Sequence, residues 1–271
     1  RGEVAYRSER LGDVATHLNA YLKNSKVLGE ANPSNANYIL GYTAVKNQDY
    51  KNALQYFMQV NTTDLLQKLD VQNRMGDCYY MQKNFAKALE LYNAVIEAKT
   101  SGSDYAIFQK AMIAGAQSHA SDKIALMRSI ETQYPSTIYY GDAQMEIANT
   151  YLSNEDYAAA LPYLEKIIND KSVEGLKPQA YLKMGISQYN LEKENDALNT
   201  FKTLLNKYPQ SAESEDAIDN IRNIFIEQGK PAEYVQFIKS SGKNISSNEA
   251  DSLTYSSANL QLNSGNKEKA L

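Results

Sequence analysis

Apolar side chains recur along this chain in steps of three and four, interrupted by short polar turns. One stripe runs Tyr50, Ala53, Leu54, Phe57, Val60; a second runs Phe85, Ala88, Leu89, Tyr92, Val95; a third runs Tyr157, Ala160, Leu161, Leu164, Ile167. Such steps put the residues on one helical face, whereas a strand would need alternation at period two, which is absent. Ahead of each stripe stands a small or compact residue: Gly2, Gly41, Gly76, Ala111, Ala148, Gly185, Ile221 and Ala258, spaced 35 to 39 positions apart. Nine positions after each, a second helix is expected to start, at Leu11, Tyr50, Phe85, Ala120, Tyr157, Glu194, Lys230 and Lys267. Twelve positions after each comes another compact site: Val14, Ala53, Ala88, Lys123, Ala160, Ala197, Glu233 and Ala270. The inner offset is constant and all length variation falls between the units. Small residues at both marks let two antiparallel helices approach closely, so the pattern predicts an all-α array of helical hairpins.

The punctuation agrees. Asn47-Gln48-Asp49, Gln82-Lys83-Asn84 and Ser153-Asn154-Glu155-Asp156 read as turns inside units. Tyr134-Pro135-Ser136-Thr137 and Tyr208-Pro209-Gln210-Ser211 read as stops between units, where Pro ends one helix and Ser caps the next. Pro162 is expected within or near the unpaired first turn of its helix, where a missing N–H costs little.

Leu40-Gly41, Met75-Gly76 with Tyr79, Ile147-Ala148 with Tyr151, and Met184-Gly185 form one set of marks. Ala53/Phe57, Ala88/Tyr92, Ala197/Phe201 and Pro209 form the other. Together they resemble the tetratricopeptide repeat over essentially the whole chain. The resemblance implies a right-handed superhelical solenoid of antiparallel helix pairs, with about seven to eight repeats and both ends truncated. Residues 1–242 would form the solenoid, its first repeat incomplete. The Ser/Asn-rich stretch 240–248 would be a joint, and 243–271 the start of a further, truncated repeat. The chain departs from the family in having no Trp. Lys123 and Glu233 stand at close-packed positions, and Ile221 replaces a small residue. Units 104–137 and 214–242 are therefore expected to pack more loosely, with their helices splayed or the two charges snorkelling to solvent; irregular units that a repeat array tolerates are the favoured reading, and hinges the alternative.

The same resemblance places a partner-binding groove along the first helices. It would be lined by Tyr38, Tyr42, Asp70, Asn73, Asp77, Tyr80, Tyr105 and Phe108, and further along by Asn149, Tyr189 and Arg222. Tyrosine is abundant, 21 residues against 6 Phe, and joins an apolar body to a hydrogen-bonding tip. Relatives that grip chaperone tails use Lys and Asn at groove positions that here hold Tyr38, Tyr42, Asn73 and Asp77. No cation is expected there, and chaperone-tail binding is disfavoured.

Composition narrows the function further. The 271 residues carry a net charge of −4 without a basic stripe, which argues against nucleic acid as partner. No run approaches the roughly 18 apolar residues of a membrane span. The single Cys78 cannot form an intrachain disulfide and reads as a packed side chain. His17 and His119 lack partners at ligand spacing, and no nucleophile, phosphate-loop or metalloprotease motif occurs. No catalytic residue, cofactor or metal is expected, and the partner should be a protein or peptide. Apolar faces at unpaired ends would favour a homo-oligomer. Repeats rich in Asn, Ser and Tyr, with Tyr-Pro-x-Ser/Thr ends, look like multi-repeat proteins of the bacterial cell envelope, which points to a periplasmic or envelope location. The alternatives are an envelope carbohydrate-binding module, disfavoured by the lack of Trp and the modest linkers, or the regulatory repeat region of a larger protein.

Overall fold

A computed structural model describes residues 11–28, 33–241, 245–263 and 265. Among them are fourteen α-helices and no strand. The helices are α1 (Leu11–Leu28), α2 (Ser34–Lys46), α3 (Tyr50–Phe57), α4 (Leu65–Met81), α5 (Phe85–Ala98), α6 (Ser103–Ala116), α7 (Ala120–Gln133), α8 (Tyr140–Ser153), α9 (Tyr157–Asn169), α10 (Lys177–Asn190), α11 (Glu194–Lys207), α12 (Ala212–Glu227), α13 (Pro231–Ser240) and α14 (Ser247–Asn263). They form a helical solenoid of consecutive hairpins. Two compact units are present, one closing at Ala143 and the other opening at Gln144, so the division lies inside α8. In the first unit, α1 packs Val14 and Leu18 against Ala36 and Leu40 of α2, and the hairpins α2/α3, α4/α5 and α6/α7 follow. The second holds α9 against the remainder of α8, then α10/α11, α12/α13 and α14.

Each hairpin closes by one local device. In α2/α3, Gln48 adopts a left-handed φ of 59°, and the Asp49 N–H donates back to the Ala44 carbonyl at 2.8 Å. This is the Schellman closure, which satisfies carbonyls left over at a helix end. Lys83, Ser118, Glu155, Glu192 and Gly229 hold the equivalent left-handed place. The next helix then starts two residues later, with side-chain caps from Asp49, Asn84 and Asp156 to backbone N–H groups.

The crossings explain the small residues. A Cβ on Gly41 would stand 2.6 Å from the Phe57 ring, on Gly76 2.6 Å from Tyr92, and on Gly185 2.4 Å from Phe201. Each aromatic lies sixteen positions on and is fully buried. Where the first-helix residue is Ala111 or Ala148, the residue sixteen on is Met127 or Leu164, also fully buried. Glycine is paired with an aromatic ring and alanine with a smaller aliphatic side chain, so the volume filling the crossing is conserved, as close-packed interiors require.

Several expectations are corrected. The inner offset slips by one in the α12/α13 hairpin: Gly229 follows Ile221 by eight positions, where the other turns stand seven after their mark. Arg222, not Ile221, therefore holds the crossing place, and Ile221 matches buried Leu40 and Ile147. Helix α13 starts at Pro231, Tyr234 takes the inner site expected of Glu233, and Glu233 is exposed beside Lys230 at 3.9 Å. Lys123 is half-buried, its aliphatic stem lying on Gly115, where a Cβ would meet Cδ at 2.9 Å. Pro162 is the sixth residue of α9, past the first turn. Its ring removes the bond to the Ala158 carbonyl, and both residues sit on the exposed side, where water can take that bond. Ser211 makes no side-chain cap; instead Ser214 donates to the Tyr208 carbonyl at 2.6 Å. Positions Gly2, 242–244, Lys267 and Ala270 lie outside the described residues.

Candidate functional site

First helices of the N-terminal unit carry tyrosines and acids at positions that face the next first helix. On α2, Tyr38 and Tyr42 stand one turn apart with ring centres 5.0 Å apart. Both hydroxyls donate to Asp70 Oδ2 on α4, at 2.8 and 2.6 Å. Along α4, Asp70, Arg74 and Asp77 follow at helical spacing. Arg74 Nε lies 3.5 Å from Asp70 Oδ1, and Nη1 donates to Asp77 Oδ2 at 2.6 Å. Asp77 Oδ1 also accepts the hydroxyls of Tyr92, from α5, at 2.7 Å and Tyr105, from α6, at 2.8 Å. The Arg74 guanidinium covers the Tyr105 ring at 4.5 Å from its centre. The row ends at Tyr139, whose ring lies 5.6 Å from Tyr105 and 5.8 Å from Phe108.

Burial and charge act together here. Burial pushes the Tyr38 phenol up to about 12, with Asp70 adding to the shift, and raises Tyr42 further for the same reasons. Burial likewise raises Tyr105, reinforced by Asp77. It opposes the Arg74 charge, but Asp77, Tyr105, Tyr42 and Asp70 outweigh it, so Arg74 stays firmly protonated. Burial pushes the Asp77 carboxyl up, against the pull of Arg74 and of the Tyr92 and Tyr105 hydroxyls. The raised phenols thus remain donors across the neutral range, and the oxygens of Asp70 and Asp77 are placed to accept from them. The arrangement holds no nucleophile paired with a base, and the described residues contain no cluster of His, Cys, Asp and Glu placed to hold a metal ion.

The other groove residues separate. Asn73 is buried and donates Nδ2 to the Gly102 carbonyl at 3.1 Å. Tyr80 packs on Phe85 at 5.8 Å and joins the core of α4 and α5. In the C-terminal unit, Asn149 is half-buried, and its carbonyl accepts the Ser153 hydroxyl at 2.8 Å. Tyr189 donates to Glu227, and Arg222 pairs with Asp219 at 3.1 Å from the crossing place. The structure therefore brings Tyr38, Tyr42, Asp77, Tyr105 and Phe108 into one row and leaves Tyr80, Asn149, Tyr189 and Arg222 apart.

Comparison with known proteins follows the same phrasing. Two tetratricopeptide repeat family models match residues 34–64 and 71–98, which are the hairpins α2/α3 and α4/α5. The chain is a tetratricopeptide repeat protein. An outer membrane lipoprotein family model matches residues 97–227. Among solved structures, the C-terminal part of a tetratricopeptide repeat-containing protein from Cytophaga hutchinsonii is similar at TM-score 0.62 and 13% identity, over 99% of this chain and 96% of that one. Pseudomonas aeruginosa PilF is similar at TM-score 0.57 and 14% identity, over 79% and 92%. A tetratricopeptide repeat protein from Parabacteroides merdae is similar at 0.51 and 16%, over 85% and 86%. At these identities the likeness is one of fold. No curated protein matches in sequence.

In this tetratricopeptide repeat protein the row also holds a cation, Arg74, beside the positions Tyr38, Tyr42, Asn73 and Asp77, which carry none themselves. Family groove positions select Asn73 and Asp77, and Arg74 reaches the row through the length of its side chain. A signal was present: Asp70, Arg74 and Asp77 lie at i, i+4 and i+7, a spacing that aligns opposite charges on one helix. Cys78 is fully buried, and burial raises its thiol to about 12, so it stays protonated as a packed side chain. No described helix is long and apolar enough to cross a membrane.

Proposed function

We propose that this protein is a non-enzymatic scaffold that takes a partner protein segment along its first helices, in an assembly of the bacterial cell envelope. Tetratricopeptide repeats bind protein partners, and the observation that carries this reading is the row from Tyr38 to Tyr139. Three successive first helices there present tyrosine rings and fixed charges to the same side, held in place by half-buried hydrogen bonds. Pre-organised donors and rings limit the ordering cost of capturing an extended segment. The envelope setting is supported by the outer membrane lipoprotein match over residues 97–227, just under half of the chain.

A photoreactive amino acid at exposed Leu66, at the start of α4, should crosslink peptides selected on the protein by display. The same group at exposed Gln55 on α3, a second helix, should not. Crosslinking from Gln55 alone would overturn the first-helix reading. Fractionation of cells making the intact gene product tests the envelope setting, and recovery only in the cytosol would exclude it.

A further inference from the structure

Beside the tyrosine–carboxylate row lies a cleft of about 370 Å³ whose walls include Asp70, Asn73, Arg74, Asp104, Tyr105 and Tyr139. Beside the hydroxyls of Ser101 and Ser136, it offers a ligand the acceptor oxygens of Asp70, Asn73 and Asp104. Asn73 is 2% exposed, its Nδ2 is committed to the Gly102 carbonyl, and its Oδ1 has no partner. A buried amide oxygen left without a donor is costly, so a donor there would be favoured. Asp104 holds the Thr137 hydroxyl at 2.6 Å and stays half-exposed, keeping acceptor capacity free. Arg74 Nη1 is bonded to Asp77, and its buried Nε faces Asp70 at 3.5 Å without a hydrogen bond, so two carboxylates already balance the guanidinium charge that an anionic ligand would need. No lysine lines the cleft. Its rim carries two exposed apolar side chains, Leu66 at 54% and Ile138 at 82% exposure.

We propose that this cleft receives a lysine or arginine side chain of the partner segment. The cationic head donates to Asn73 Oδ1 and Asp104, and the aliphatic stem lies along Leu66 and Ile138. Long basic side chains combine these two demands in one residue. The proposal rests on the reading that a segment runs along the first helices, and it adds the chemistry by which that segment is chosen.

Three labelled peptides of equal length test it against the full chain by fluorescence anisotropy: a leucine–lysine repeat, its acetyl-lysine twin and a leucine–glutamate twin. The lysine peptide should bind about tenfold more tightly than the acetylated one, as expected for one hydrogen-bonded charge. Asp104→Asn keeps an acceptor for Thr137 and should remove most of that difference, while Leu66→Ser should weaken both peptides. Glu215→Gln, an exposed site on α12 with the same charge change, should leave the difference intact. Equal affinity for the lysine and acetyl-lysine peptides, with loss of both on Leu66→Ser, would overturn the basic preference and leave the scaffold reading standing. An equal effect of Asp104→Asn and Glu215→Gln would reduce the preference to bulk charge and overturn the site. Failure of all three peptides to bind would remove the scaffold reading together with the inference.

Discussion

The hairpins α10/α11 and α12/α13 are neighbours in the C-terminal unit and fill the same crossing in opposite ways. In α10/α11, Gly185 lets the Phe201 ring lie directly on its backbone. In α12/α13, Arg222 holds the glycine place and Ile238 the aromatic one, and α13 buries only Tyr234 and Ile238. The α11 helix, in contrast, buries Ala197, Leu198, Phe201 and Leu204. A long side chain at the crossing thus goes with a smaller partner and a shorter second helix. What the array conserves is the volume between two helices, whichever residues supply it.

The largest effect should come from emptying the tight crossing. Phe201→Ala removes a fully buried ring and should cost about 3–5 kcal/mol, read as a lower urea midpoint. Gly185→Ala should cost about 1–3 kcal/mol by overpacking against the ring. The double change Gly185→Ala with Phe201→Leu recreates the natural pair Ala148 and Leu164 and should cost less than Gly185→Ala and Phe201→Leu measured singly and summed. Simple addition of the two single effects would refute the volume pairing.

A second contrast sets the tyrosine row of the N-terminal unit against the surface tyrosines of the C-terminal one. A phenol whose pKa is higher folded than unfolded stabilises fully below its unfolded value near 10. It loses that contribution as pH rises through its folded value, about 12 for Tyr38. Stability should therefore fall across about pH 10 to 12. Tyr42→Phe should cost about 1–2 kcal/mol at neutral pH, allowing for the partial exposure of Asp70, and should flatten that alkaline fall. Tyr208 reaches a similar pKa of about 12, chiefly by burial with Glu174 adding, but its bond to Glu174 is solvent-exposed. Tyr208→Phe should change the midpoint little. A larger loss at Tyr208 than at Tyr42 would contradict the contrast.

The smallest effect is expected at Asp219→Ala, within about 0.5 kcal/mol, since this carboxylate is mostly exposed where it pairs with Arg222. A loss comparable to that of Gly185→Ala would show that the ion pair, and not the Arg222 stem at the crossing, holds α12 to α13.

Hairpins, crossings and most helix starts were legible because each is a local consequence of spacing: Tyr50, Phe85, Ala120, Tyr157 and Glu194 begin their helices as the pattern requires. The slip in α12 was hidden because Ile221, Ile224, Phe225 and Ile226 offer apolar residues to two registers at once. Only the left-handed turn at Gly229 decides between them. The row was half legible. Tyr38, Tyr42, Asp77 and Tyr105 follow from position, but their convergence on Asp70 and Arg74 depends on side-chain reach between repeats. Tyr80 shows the converse, since its position suggested the groove and its ring turned to Phe85.

The left-handed turns carry a practical corollary. Gln48, Lys83, Ser118, Glu155 and Glu192 all place an exposed L side chain in a conformation that only glycine adopts freely, at roughly 1–2 kcal/mol each. Glycine there would relieve the clash, less the extra freedom it gives the unfolded chain. None of these side chains is buried, so a heat-tolerant variant is within reach by editing loops alone, with the binding face left as it is.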